Sequence, residues 1–301
     1  MPESDDRSAD APEDREQDQK DRITGYGSGT VETVISVDEV NRQAAAIAEA
    51  GVPAERVDEL AGPEPFVTIE RLRAGYGKME ILHDFNLQVA RRQSLCLIGP
   101  NGAGKSTVLH SIFGFTNIFD GRISVGGKDV TRLSSKDKLK TAGIAYILQD
   151  KSVFPGMTVE ENLWMGGYLM DKPQRAKEKA EEIFGKYTRL AERRSHPAKV
   201  LSGGERRLLE ISRALVMDPE VLLVDEPSIG LEPRFIDMVF EILDDLQKAE
   251  GKTIIMVEQN AKKGLEFADI GYVLVSGQLA RAGPGKELLA DPEVGRLFLG
   301  G

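Results

Sequence analysis

A chain of 301 residues, 41% hydrophobic and 29% charged, has the composition of a soluble globular protein, and no run approaches the roughly 20 apolar residues of a membrane span. Its formal net charge of −10 argues against a protein whose main ligand is a nucleic-acid backbone. The single cysteine, Cys96, excludes an intrachain disulfide, and the start is acidic where an export signal is basic and then apolar, so both features point to the cytoplasm.

Residues 1–22 hold nine acidic side chains against four basic ones and few apolar ones. Such a segment cannot bury enough surface to offset its ordering entropy, and the sequence predicts a disordered acidic tail. Residues 23–64 form a second extension. There Ser36 and Glu39 have capping-box spacing, Ile35 and Val40 are placed as a hydrophobic staple, and Val40, Ala44 and Ile47 follow at helical spacing. A short helix is expected, stopped by Gly51 and Pro53. A flexible arm and a partner-docking segment are both open readings of it.

From Phe66 short apolar runs with β-branched residues begin. Phe66 to Ile69, Ile81 to Val89 and Leu95 to Ile98 read as strands, and a helix follows Gly104. Further runs at Ile144 to Leu148, Val221 to Val224 and Thr253 to Val257 are separated by helical patterns in the later part, the signature of a parallel sheet covered by helices. Between Thr158 and Val200 the pattern is mostly helical, with a charged stretch from Gln174 to Arg194. We read an α/β domain over residues 66–301 with a helical subdomain inserted at about 150–200.

The chemistry is concentrated in two segments. Gly99-Pro100-Asn101-Gly102-Ala103-Gly104-Lys105-Ser106, followed by Thr107, fits G-x-x-x-x-G-K-[ST] between a strand and a helix. Its glycines let the backbone wrap phosphate oxygens and its amides face negative charge at a helix N-terminus. Lys105 is placed for the β and γ phosphates and Ser106 for Mg²⁺. Val221-Leu-Leu-Val-Asp225-Glu226 is a buried run ending in two acids. Asp225 is placed to hold Mg²⁺ and Glu226 to act as general base on the attacking water.

Between them stands Leu201-Ser202-Gly203-Gly204-Glu205, leading into a helix. This segment resembles the signature motif of ABC ATPases. The resemblance runs from Phe66 to Gly301 and implies an α/β fold of the P-loop NTPase class, ABC type, with an antiparallel β subdomain and an inserted helical subdomain. It implies that Ser202, Gly203, Gly204 and Glu205 close on the ATP of an opposite subunit, so that hydrolysis needs a dimer. It also makes Tyr76 the aromatic that stacks on adenine and Gln149 the glutamine that contacts Mg²⁺ and its water and senses the permease. Gln259 stands where a histidine usually contacts the γ-phosphate, and a glutamine amide can donate a hydrogen bond there without an imidazolium's charge. Glu232 stands where an aspartate is common.

Phe154-Pro-Gly-Met-Thr-Val-Glu-Glu-Asn162, Glu226-Pro-Ser-Ile-Gly-Leu231, Val257-Glu-Gln-Asn260 and the ending Leu288 to Gly301 look like the LivF-type ATPase of branched-chain amino-acid importers. That resemblance implies a subunit on the inner face of the cell membrane, using ATP and Mg²⁺. Its partners would be a second ABC ATPase (another copy or a different chain), two permease subunits and, through them, an extracytoplasmic solute-binding protein. Trp164, Met165 and Phe154 are candidate permease contacts or core residues. The ATPase of an amide or urea importer is the nearest alternative reading. A soluble, non-transport ABC ATPase is another, disfavoured by the single cassette and the compact spacing between the motifs.

Overall fold

The computed structural model describes residues 51–149 and 152–298; the predicted acidic tail and the predicted helix around Ser36 to Ile47 lie outside them. The first element is a helix that the sequence reading did not name, α1 (Ala54–Ala61), beginning directly after Pro53 and closed by Gly62 at φ 72°. Pro53, expected to stop the preceding helix, also stands at the start of this one, where a residue that has lost its N–H costs nothing because the first helix amides have no partner. Val57 and Ala61 are buried on the body, the Gln88 amide donates to Asp58 Oδ1 (2.5 Å) and Gln93 Nε2 to Leu60 O (3.0 Å).

Two long strands follow, β1 (Pro65–Tyr76) and β2 (Met79–Ala90), paired antiparallel. With β4 (Asn117–Val125) and β5 (Lys128–Asp129) they make a four-stranded sheet in the order β2-β1-β4-β5. The sequence suggests a first strand ending at Ile69, but β1 continues to Tyr76. An irregularity lies between Ile69 and Leu72, with Arg71 at φ 44°, and it breaks the alternation that a period-two reading follows.

The second sheet has six strands in the order β10-β9-β3-β8-β7-β6. They are β3 (Ser94–Ile98), β6 (Ile144–Ile147), β7 (Val221–Asp225), β8 (Thr253–Val257), β9 (Ile270–Val275) and β10 (Gln278–Pro284). Strands β9, β3, β8, β7 and β6 run parallel, and β10 is antiparallel to β9. Every residue of β3, β7, β8 and β9 is buried, as continuous apolar runs covered on both faces should be. Alternate residues serve different cores. Leu95 and Leu97 pack with Ile69, Leu87 and Val108 on the side of the antiparallel sheet, while Cys96 and Ile98 belong to the core on the other face.

The helix after β3 is α2 (Lys105–Phe113); α3 (Ser135–Ala142) precedes β6. Between β6 and β7 come α4 (Val159–Gly166), α5 (Pro173–Lys186), α6 (Thr188–Glu192) and α7 (Gly203–Leu215). Helix α4 starts on a capping box: Thr158 N donates to Glu161 Oε2 (2.7 Å) and Glu161 N to Thr158 Oγ1 (3.1 Å). The chain closes with α8 (Pro233–Lys248), α9 (Ala261–Phe267), α10 (Gly285–Ala290) and α11 (Pro292–Phe298).

Candidate active site

The loop from Gly99 to Gly104 joins the C-terminal end of β3 to α2. Gly99 sits at φ 142°, and a Cβ there would lie 2.2 Å from Leu274 O, so only glycine fits between the loop and β9. Helix α2 begins without any side-chain cap, leaving its first amides facing the loop. Lys105 is buried and its ammonium donates to Gly99 O (2.8 Å) and Pro100 O (3.0 Å). Burial lowers its pKa, while Glu226 and Asp225 act in the opposite direction.

Asp225, the last residue of β7, is held at both carboxylate oxygens. Ser106 Oγ donates to Oδ1 (3.1 Å) and the Tyr146 hydroxyl to Oδ2 (2.7 Å). Burial and the Asp225 charge push the Tyr146 phenol well above its usual range, so it stays a proton donor.

Glu226 adopts φ 43°, rare for a residue with a side chain, as the chain leaves β7. Its N–H donates to Val257 O (2.8 Å) and its carboxylate accepts from Gln149 Nε2 (2.8 Å). Burial raises the Glu226 pKa, Asp225 adds to the rise, and Lys105 opposes it. A pocket of about 260 Å³ is lined by the loop from Asn101 to Thr107 on one side and Glu226 on the other. The loop backbone, the Lys105 ammonium and the Ser106 hydroxyl thus share one mouth with the Glu226 carboxyl, and Asp225 joins them through its bond from Ser106 Oγ.

The remaining expected residues are placed differently. Tyr76, at the end of β1, is partly exposed and its hydroxyl meets His110 Nδ1 on α2, beside the loop. Gln259 is exposed just beyond β8, two residues from the Val257 carbonyl that anchors Glu226. Ser202 to Glu205 do not line the pocket. Ser202 caps α7, with Ser202 and Gly203 exposed, and Glu205 is spent within its own chain: its carboxylate accepts from Ser202 N (2.9 Å) and Arg193 Nε (3.4 Å). Glu205 therefore orients the helix start rather than offering itself to an anion.

A protein-family model described as ABC transporter matches residues 82–229. The chain is 40% identical over 237 residues to the high-affinity branched-chain amino acid transport ATP-binding protein BraG of Pseudomonas aeruginosa, covering 78% of this chain and 100% of that one. It is 37% identical over 230 residues to a branched-chain amino acid transport ATP-binding protein, LivF, of Archaeoglobus fulgidus, covering 76% and 97%. The chain belongs to the ABC transporter ATP-binding family. Among solved structures, an ATP-binding cassette of an ABC transporter in its ADP conformation superposes with TM-score 0.69 at 28% identity, covering 79% of this chain and 100% of that one. The protein is an ABC ATPase, with the α/β fold, antiparallel β sheet and helical segments that the motifs imply.

Three residues of this ABC ATPase escaped the sequence reading. Tyr146 lies inside the apolar run of β6, where a polar tip is the only hint. Glu258 is 1% exposed and accepts from Ser228 Oγ (2.7 Å), Ser228 N (3.3 Å) and Asn260 N (2.8 Å), tying the segment after β7 to the one after β8. Arg207 lies on the buried side of α7, where a cation needs partners to be tolerated.

Proposed function

We propose that this ABC ATPase powers the import of branched-chain amino acids as one of two ATPase subunits docked on a pair of permeases. The observation that carries the nucleotide chemistry is the shared pocket of the Lys105 loop and Glu226. The names of the two relatives support the solute class.

In this reading the amides from Gly99 to Thr107 and the Lys105 ammonium hold the phosphates, and Tyr76 stacks on adenine. Ser106 and Asp225 offer hard oxygen donors 3.1 Å apart, the kind Mg²⁺ takes together with phosphate oxygens, so the residues present fit that ion. When bound, it neutralises charge on the β and γ phosphates. Glu226 accepts the proton of the attacking water, and its raised proton affinity suits a base working near neutral pH. Gln149 orients that carboxylate and Gln259 donates to the γ-phosphate. The helix start at Ser202, Gly203 and Gly204 grips the γ-phosphate held by the opposite subunit, a second ABC ATPase.

The permease docks in a groove of about 310 Å³ lined by Phe113, Leu139, Tyr146, Phe154, Met165 and Tyr168, among others. Phe154 and Tyr168 are exposed there, whereas Trp164 packs against the core with the Lys177 ammonium 4.7 Å from its ring centre. Trp164 is then a core residue, and Phe154 and Met165 the contacts.

Glu226→Gln tests the reading. It keeps shape and removes the basic oxygen, so turnover should fall about 10²- to 10⁴-fold while MgATP remains bound. Phosphate release together with light scattering in MgATP should show a slow enzyme and a more persistent dimer than wild type, with the natural second ATPase added where the chain does not self-associate. Near-normal turnover would place the base elsewhere. In reconstituted vesicles, ATP consumption should rise with binding protein loaded with leucine, isoleucine or valine; stimulation by an amide or urea alone would overturn the solute assignment.

A further inference from the structure

Arg207, in the second turn of α7, is 4% exposed and belongs to none of the roles above. Its Nη1 donates to Glu210 Oε2 (2.9 Å), to Leu148 O (2.7 Å) and, at longer range, to Gln149 O (3.4 Å); its Nη2 donates to Asp225 O (3.2 Å). Glu210 is equally buried. A buried ion pair is a poor source of stability, because the desolvation of two charges consumes most of their attraction and apolar residues of similar volume often serve as well. What apolar residues cannot do is donate to three carbonyls at once.

Those carbonyls sit where two neighbouring parallel strands end. Leu148 and Gln149 follow β6 directly, and Asp225 is the last residue of β7. The Asp225 carbonyl and the Glu226 N–H belong to the same peptide unit. Arg207 holds its oxygen, and Val257 O on β8 accepts from its N–H at 2.8 Å. The next residue is Glu226 at φ 43°, a conformation that persists only where the surroundings impose it. On the other strand the guanidinium holds the backbone of Gln149, whose amide reaches Glu226 at 2.8 Å. A planar fork with several donors suits this bridging in a way a lysine point charge does not.

We propose that Arg207 is a positioning residue through which the signature helix sets the orientation of Glu226 and Gln149. A tilt of α7 against the sheet then loosens the base and its glutamine partner without any change at the phosphate loop. The helix that starts at Ser202 thus governs its own chain's carboxylate as well as any nucleotide it meets across a dimer. This rests on the reading of Glu226 as the base.

The test compares Arg207→Lys, which keeps the charge opposite Glu210, with the double variant Arg207→Met/Glu210→Leu, which removes both charges and leaves no buried ion unpaired. Each is made in the full chain with Glu226→Gln alongside. Thermal unfolding and the affinity for a fluorescent ATP analogue should stay near wild type, within about threefold for affinity, since no phosphate-loop contact is lost. The turnover number should fall about tenfold or more with KM little changed, as expected when a reacting group is displaced. In a Gln149→Ala background the further loss should be clearly smaller, because part of the path is already cut. Wild-type turnover in folded Arg207 variants, or losses that multiply fully with Gln149→Ala, would overturn the proposal. So would unfolding and weakened nucleotide binding in both variants, which would make Arg207 a purely structural brace. Near-normal turnover of Glu226→Gln would remove the base assignment itself, whereas an inactive Glu226→Gln beside fully active Arg207 variants sinks only the positioning role.

Discussion

Asp225 has two oxygens and two donors, and the donors differ in what they leave behind when a metal arrives. In the proposed Mg²⁺ site the Ser106 hydroxyl would turn from Oδ1 to the ion, whereas the Tyr146 hydroxyl would stay on Oδ2. Tyr146→Phe removes one oxygen and preserves the ring packing against Phe113, Phe115 and His110. A hydrogen bond to a charged group is worth about 1.5–3 kcal/mol, and part of that reaches the metal through the carboxylate's orientation. The Mg²⁺ concentration for half-maximal binding of a non-hydrolysable ATP analogue should rise about three- to tenfold, while metal-free nucleotide affinity hardly changes and the thermal midpoint falls, because a buried carboxylate oxygen loses its donor. An unaltered Mg²⁺ requirement would leave the tyrosine a packing residue. Lys105, Ser106, Asp225 and Glu226 were legible in the sequence because each lies inside a short pattern whose spacing encodes its geometry. Tyr146 and Arg207 were not, since Tyr146 meets Asp225 only after β6 and β7 become neighbours and Arg207 only after α7 docks against the ends of those strands.

At the level of elements, the phosphate-loop helix α2 is held at both ends by unusual means. Its start has no side-chain cap, and at its far end the ammonium of Lys138, fully buried on α3, donates to Ser111 O (3.2 Å). A cation at a helix C-terminus is favourably placed, yet among the described residues no carboxylate pairs with it, and burial lowers its pKa from 10.5 to about 8. Below pH 8 both folded and unfolded chains carry this proton and the whole cost of burying the charge is present. From about pH 8 to 10.5 the unfolded chain binds more protons than the folded one, so this group's contribution to stability rises with pH. Urea unfolding of wild type and Lys138→Met at pH 7.5 and pH 10 should therefore differ in one direction: wild type gains on the variant as pH rises. A constant gap between the two would mean that Lys138 keeps an ordinary pKa. The parallel strands were legible as apolar runs for the same reason that they are buried on both faces. Strand β1 reads short in the sequence because its irregularity at Glu70 and Arg71 interrupts the alternation, and α1 escapes it because the apolar stripe of Val57, Leu60 and Ala61 spans only two turns.

For the whole molecule, the matched stretch of 237 residues spans 78% of the chain, and among the described residues α1 attaches the N-terminal extension to the body. It lies against β2 and β10, buries Val57 and Ala61, and reaches α10 through Arg56 and Glu287 (3.5 Å). The ion pair is exposed and contributes little, so the attachment rests on the apolar contacts and on the bonds to Asp58 and Leu60. Burying one valine contributes about 1.5–3 kcal/mol, and the ordering of eight residues offsets part of it. Residues 1–22, poor in apolar side chains, lie upstream of this anchor and of every motif. Deleting them should leave ATP turnover within about twofold. Deleting residues 1–62 should instead lower the thermal midpoint by about 2–6 °C, the shift expected for one to two kcal/mol in a domain of this size, with the ATP affinity of the surviving folded fraction unchanged, because Gln88 and Gln93, the residues bonded to α1, do not line the pocket of the Lys105 loop. The two truncations separate the roles: equal midpoints would mean that α1 is not an anchor, and a large loss of turnover from the short deletion alone would make the acidic segment part of the motor.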